Sequence, residues 1–205
     1  VVLNFSPDSA EIFYNDKEER HHYLLGLKYL PIRSEFVNAK ITKKEQIFIM
    51  LGGSDTASLS LDIVYALKDV IIKKTIVSNN LNIVNSLKNH QNIEVLYKPS
   101  DEQLIKTMAS SVAAISTASM GAYELAYFKI PTIIVAVAKN QEIGVSQFIR
   151  HNLASGSIFI NNNEWKTDIK NKIEHILQQK NRYTDNAISN DGTDNIVNEV
   201  LGLIQ

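Results

Sequence analysis

The sequence contains no cysteine, which excludes a disulfide framework and any zinc site built on thiolates. It also lacks net charge: 21 basic and 22 acidic residues leave a formal charge of -1 over 205 residues. That balance argues against a dominant electrostatic attraction to nucleic acid or to an anionic membrane. Long hydrophobic runs are missing too. Stretches such as Ile133 to Ala138 fall far short of the ~20 residues a membrane helix needs. The first residues, Val1-Val2-Leu3-Asn4, carry neither an initiator Met nor a basic-then-apolar signal pattern. We expect a cut into a longer protein, with a processed natural terminus as the alternative. No internal repeat or low-complexity tract is evident. The expectation is a cytoplasmic protein with no membrane insertion and no nucleic-acid partner.

What is present is ordinary for a soluble globular chain: 44% hydrophobic and 21% charged residues. The length suits one large domain, or one domain and part of another. A chain of this size buries roughly 70% of the surface its unfolded form exposes, enough for a core without staples.

From Gln46 onward, apolar runs alternate with helical patterns. Ile47 to Leu51 is apolar on both faces and is stopped by Gly52-Gly53-Ser54-Asp55, as expected of a buried parallel strand. Further strands are expected at Thr75–Val77, Ile93–Tyr97, Val112–Ser116, Thr132–Val137 and Ser157–Ile160. Between them come helical patterns: one with Leu59, Ile63, Ala66 and Leu67 on one face, one from Leu81 to Lys88, then Ser100–Ser110, Ser119–Lys129 and Gln141–Asn152. Ser100 with Gln103 three residues on makes a capping box. Helices from Glu164 to about Lys180 and from Asp194 to Ile204 complete the chain. Alternation of this kind predicts an α/β fold, a doubly wound, Rossmann-like parallel sheet with helices on both faces. Residues 1–38 do not follow the rhythm. We expect them to be the tail of a preceding domain plus a linker, with residues 39–205 as the sheet domain.

Three segments can carry chemistry. At Gly52-Gly53-Ser54, two glycines after a buried strand let the backbone turn tightly, and successive N–H groups form an anion-binding concavity. The segment is neither a Walker loop nor a G-x-G-x-x-G fingerprint, and a plain tight turn is the alternative. At Ile115 to Leu125, a strand ends in small hydroxyl residues and a helix opens at its carboxyl end, where open α/β sheets place ligands. Small side chains around Ser119 leave the helix start accessible to phosphate. Met120 and Glu124, four apart, share one helix face. A carboxylate at Glu124 can accept both hydroxyls of a ribose, an ordinary surface Glu being the alternative. At Lys139-Asn140-Gln141, an ammonium and two amides can orient phosphate and sugar hydroxyls, or be a solvated loop with an Asn cap.

Other chemistries lack their residues. His21, His22, His90, His151 and His175 offer no i, i+4 pair for a zinc-protease helix, and no G-x-S-x-G nucleophile elbow occurs. Asp191-Gly192 is expected to be a turn and helix lead-in, and Trp165 a packing residue.

Together, in this order and spacing, the elements resemble the C-terminal, nucleotide-binding half of GT-B-fold nucleotide-sugar enzymes. The nearest family is that of UDP-sugar hydrolases of pseudaminic acid biosynthesis, related to the lipid II GlcNAc transferases. The resemblance rests on Leu24-Leu25-Gly26 through Arg33-Ser34-Glu35-Phe36, Gly52-Gly53-Ser54-Asp55, Ile115 to Glu124, Lys139-Asn140-Gln141-Glu142 and Asp191-Gly192. It implies that Gly53 and Ser54, beside Gly52, approach the diphosphate of a UDP-linked amino sugar. It implies that Ser119 and Met120 face diphosphate and nucleoside, and that Glu124 takes the ribose hydroxyls. Tyr97 and Lys98 would line the uracil pocket, and Asn140 and Gln141 the sugar or phosphate side. No cofactor and no obligatory metal is implied. The family's general-base histidine lies in a Gly-rich turn of the N-terminal domain, and nothing here matches it. That domain is an expected partner, and the catalytic residues are expected there. The alternatives are a glycosyltransferase of the lipid II GlcNAc transferase type and a non-catalytic binding or assembly domain.

Overall fold

A computed structural model describes residues 1–16, 18, 20–40, 42, 45–52, 59–179, 186 and 188–204. Six parallel strands form the main sheet. They are β3 (Gln46–Met50), β4 (Lys73–Ser78), β5 (Ile93–Tyr97), β6 (Ala113–Ser116), β7 (Thr132–Ala136) and β8 (Gly156–Phe159); β1 (Val2–Asn4) and β2 (Tyr23–Leu25) pair separately, in parallel. The main sheet's order is β5-β4-β3-β6-β7-β8. The chain therefore winds outward one way from β3, returns, and winds the other way from β6. The seam between β3 and β6 is the topological switch point of a doubly wound fold.

The period-two geometry of a strand sorts the core into two layers. Ile47 and Ile49 of β3, Ala113 and Ile115 of β6, and Ile133 and Val135 of β7 pack against Ile63, Ile83 and Ile173. These three residues belong to α3 (Leu59–Ala66), α4 (Leu81–Leu87) and α8 (Trp165–Gln178). Phe48, Ala114 and Ile134 point to the opposite face, against Phe36, Met108, Ala122 and Phe148. Those come from α2 (Ser34–Val37), α5 (Asp101–Ala109), α6 (Met120–Tyr127) and α7 (Glu142–Arg150). Apolar runs without alternation are what a strand buried on both sides requires. Gln46, a buried amide in the central strand, is satisfied by Thr107, Ser110 and Thr75. The capping box of α5 is formed: the Gln103 N–H donates to Ser100 Oγ, and the Ser100 N–H to Gln103 Oε1, both at 3.2 Å. Among the described residues, no helix is long and apolar enough to cross a membrane.

The first 38 residues pack against the sheet domain. Leu30, Ile32 and Phe36, from the segment expected to be linker, are buried in the layer that holds α5 to α7. Phe36 stacks on Phe128 at 5.4 Å. The carboxylate of Asp8, just before α1 (Ser9–Phe13), is buried and binds Arg150 and His151 at the end of α7. At the other end of the chain, α9 (Gly192–Gly202) packs on residues 27–30. Its Glu199 accepts from Tyr29 Oη at 3.0 Å, and its Asn195 donates to the Lys28 carbonyl at 2.8 Å. The helix expected from Asp194 begins two residues earlier, at Gly192. A Cβ there would lie 1.8 Å from the Leu30 carbonyl oxygen. Gly192 thus serves a close helix–backbone contact that a turn assignment from sequence does not reveal.

Candidate functional site

The carboxyl ends of β3 and β6 meet at the switch point. Met50 and Ser116 are register partners there. Gly52, just past β3, has φ +81°, a left-handed conformation that glycine adopts at little cost, and a Cβ on it would lie 3.9 Å from Thr117 Oγ1. On the other flank of the β6–α6 turn, a Cβ on Gly144 of α7 would lie 3.6 Å from the Ala118 Cβ. The turn 117–119 is therefore bracketed by the end of β3 and the first turn of α7. Gly53 and Ser54 lie outside the described residues.

The start of α6 lies at this junction. Ser119 is its N-cap, in extended conformation, and its hydroxyl makes no capping bond to the helix. The helix expected from Ser119 to Lys129 is formed from Met120 to Tyr127. Gly121 lets α6 come down onto β3: a Cβ there would lie 2.2 Å from the Met50 Cε. Because that atom is the mobile end of a flexible side chain, Gly121→Ala is expected to cost only about 1 kcal/mol, at the low end of overpacking. Met50 should turn aside and leave the start of α6 in place. Thermal melting reads the cost, and unchanged amide exchange in residues 119–122 checks that the helix start stays put. Met120 itself is half-buried against the core. Ser116 is fully buried beside Met50, and among the described residues its hydroxyl has no hydrogen-bond partner. A buried unpaired hydroxyl calls for a local explanation, and here it lies at the carboxyl end of the sheet.

Glu124 is not an ordinary surface residue. It is 4% exposed, one turn into α6. Arg33 Nε donates to its Oε1 at 3.1 Å, and Arg33 Nη2 lies 3.0 Å from the same oxygen. Arg33 Nη1 donates to Asp101 Oδ1 at 3.0 Å. Burial pushes the Glu124 carboxyl above its ordinary value; Arg33 pulls it down without fully offsetting this, and Asp101 adds to the rise. Burial opposes the charge on Arg33, but Glu124 and Asp101 outweigh it and hold the guanidinium above its usual range. The sequence offers no signal for this partnership: Arg33 and Glu124 are 91 residues apart, and no local pattern couples them.

The remaining candidates flank this centre. Tyr97 ends β5, the edge strand two places from β3, about 10 Å across the sheet. Lys98 follows with φ +45°, and its Nζ lies 5.2 Å from the Tyr97 ring centroid. The segment leads through Ser100 into Asp101, and Arg33 links Asp101 to Glu124. Lys139–Gln141 is a 3-10 turn beyond β7, one strand from β6. The α-helix expected from Gln141 starts at Glu142, because Gln141 turns back and its Oε1 accepts from the Val137 N–H at 2.9 Å. Asn140 is exposed. A cavity of about 190 Å³ lies beside this turn, lined in part by Ala138, Lys139 and Phe159.

Comparison with known proteins places this geometry in context. No family model matches the sequence. Over 152 residues the chain is 28% identical to a Helicobacter pylori protein named pseudaminic acid cytidylyltransferase and UDP-2,4-diacetamido-2,4,6-trideoxy-beta-L-altropyranose hydrolase, covering 72% of this chain and 28% of the relative. Among solved structures, S. aureus MnaA in a UDP co-structure superimposes with a TM-score of 0.69 at 12% identity, over 98% of this chain and 59% of that one. Methanocaldococcus jannaschii UDP-GlcNAc 2-epimerase, in complex with UDP-GlcNAc and UDP, gives 0.57 at 10% identity, over 80% and 46%. The chain thus spans about a quarter of the curated relative and about half of these structures. It has the α/β fold of GT-B nucleotide-sugar enzymes, built on a parallel six-stranded sheet.

Proposed function

We propose that this chain is the UDP-binding part of an enzyme that hydrolyses a UDP-linked amino sugar, in the making of a pseudaminic-type surface or flagellar glycan. The observation that carries the reading is the β3–β6 switch point, where the start of α6 lies one turn from a buried, oriented carboxylate. Backbone N–H groups at the start of α6, with Ser119, meet the diphosphate. Glu124 takes the ribose hydroxyls, as the resemblance implies. Gly52, Gly53 and Ser54 approach the phosphates from β3. Tyr97 and Lys98 lie on the uracil side, and Asn140 and Gln141 on the sugar side. The similarity to the Helicobacter pylori protein supports the choice of a hydrolase.

In the proposed reaction, a water oxygen bonds to the anomeric carbon while the bond from that carbon to the β-phosphate oxygen breaks. UDP leaves with the electron pair, stabilised by the helix start and backbone N–H groups. The water's proton goes to a base in the preceding domain, of which residues 1–38 are the tail. We place the protein in the cytoplasm, where nucleotide sugars are its substrates.

UDP at 100 times its Kd should stabilise the fold by about 2.7 kcal/mol, a rise in Tm of roughly 5–11 °C for a chain this long. An unchanged Tm at saturating UDP would sink the nucleotide site. With the full-length protein and a UDP-linked diacetamido sugar, free sugar plus UDP is the expected product pair. A sugar joined to an added acceptor would instead identify a glycosyltransferase.

A further inference from the structure

We propose that Arg33 is a positioning residue for the nucleotide, gripping one oxygen of Glu124 so that the other is presented to the ribose hydroxyls. This rests on the reading of Glu124 as the ribose-binding group. The geometry is specific. Both Arg33 contacts to the carboxylate, from Nε at 3.1 Å and Nη2 at 3.0 Å, fall on Oε1. An ionised carboxylate has about two acceptor sites per oxygen, so Oε2 keeps the two that a vicinal diol requires. The guanidinium is itself held: Nη1 binds Asp101 at the start of α5, and its centre lies 4.7 Å from the centroid of the Phe36 ring. Phe36 is fully buried and stacked on Phe128. A rigid fork of donors, backed by a buried ring and a second carboxylate, fixes a carboxylate's rotation in a way a lysine cannot. Preorganisation of this sort is gained before the ligand arrives.

Arg33 has a second effect. The charged groups acting on Glu124 are Arg33, which favours the ionised form, and Asp101, which opposes it, on top of the burial that raises its pKa. Removing Arg33 leaves burial and Asp101 unopposed, so Glu124 takes up its proton at higher pH and loses acceptor capacity there. The acid side of the affinity profile should move upward. The diphosphate's own titration is common to both proteins and cancels in the comparison.

The test is calorimetric affinity for UDP and for 2′-deoxy-UDP, from pH 5 to 8, alongside thermal melting without nucleotide. The wild type should prefer UDP about tenfold, one ribose hydroxyl to a charged acceptor being worth about that factor. Arg33→Met should lower UDP affinity about tenfold or more, collapse the UDP preference towards unity and shift the acid limb upward. Arg33→Lys should fall between, and it serves as the reading if Arg33→Met does not fold. Asp101→Asn, which loosens the α5 contact but keeps the grip on Glu124, should retain the preference. An Arg33→Met protein that keeps the wild-type preference and pH profile overturns the proposal; equal losses for both nucleotides would mark a direct phosphate contact instead. Failure of the underlying reading looks different: the wild type itself would bind no UDP, or would not distinguish the two nucleotides.

Discussion

Replacing Gly192 by alanine should lower folding stability by about 3 kcal/mol, at the upper end of overpacking costs. For a chain of this length that is a fall in Tm of roughly 6–12 °C. The new methyl would lie 1.8 Å from the Leu30 carbonyl oxygen, 2.5 Å from its carbon and 2.9 Å from its nitrogen. All three atoms are backbone, so no rotamer change relieves the clash. The helix must lift, and Glu199 then loses Tyr29 and His22. Gly202 supplies the control within α9, since a Cβ there meets nothing within 4 Å. Gly202→Ala should leave Tm unchanged or slightly raised. Equal melting of the two variants would show that α9 does not dock through Gly192.

Glu124→Ala should weaken UDP binding on the order of 100-fold. Two ribose hydroxyls donating to a charged acceptor contribute about 1.5 kcal/mol each at the low end, and about 1.4 kcal/mol is a factor of ten. Glu142→Ala, on an exposed residue at the start of α7, should change affinity little; equal affinities of the two variants would remove Glu124 from the site. Folding should behave in the opposite sense. A carboxyl whose folded pKa is raised, here chiefly by burial, stabilises the fold below its ordinary value and loses that contribution as pH rises through the raised one. At neutral pH the ionised Glu124 is therefore held against the preference of its surroundings. Arg33 is 40% exposed and keeps Asp101 as a partner, so no charge is stranded by the substitution. Glu124→Gln should accordingly melt no lower than wild type at pH 7 while binding UDP poorly. A residue retained at a cost to stability is what a binding role leads one to expect.

Much of the sheet domain was legible because its signals are local. Ile47 to Leu51, closed by Gly52-Gly53, reads as a strand buried on both faces, and the Ser100–Gln103 box encodes the start of α5 within four residues. Alternation gave the doubly wound class, but the strand order that puts the switch point between β3 and β6 came only with the structure. What escaped the sequence is held by distant contacts. The segments β1, β2 and α2 are only three or four residues long, too short to show a period. The burial of α2, for one, depends on Phe128, on which its Phe36 stacks. Gly192 looks like any turn glycine until Leu30 is placed beneath it. The candidate site divides in the same way. The helix start after β6 was readable from small hydroxyl residues, whereas Glu124 was singled out through the family resemblance, its place one turn later fitting an ordinary surface residue as well. Its burial and its grip by Arg33 arise only when residue 33 folds back across α5 and α6.

The most direct measurement is a crystal structure of the protein with UDP. The diphosphate should lie at the start of α6, within hydrogen-bond reach of Ser119, with the ribose hydroxyls on Glu124 Oε2. UDP bound instead in the cavity of about 430 Å³ lined by His22, Tyr29 and Glu199, with nothing at the start of α6, would contradict the account.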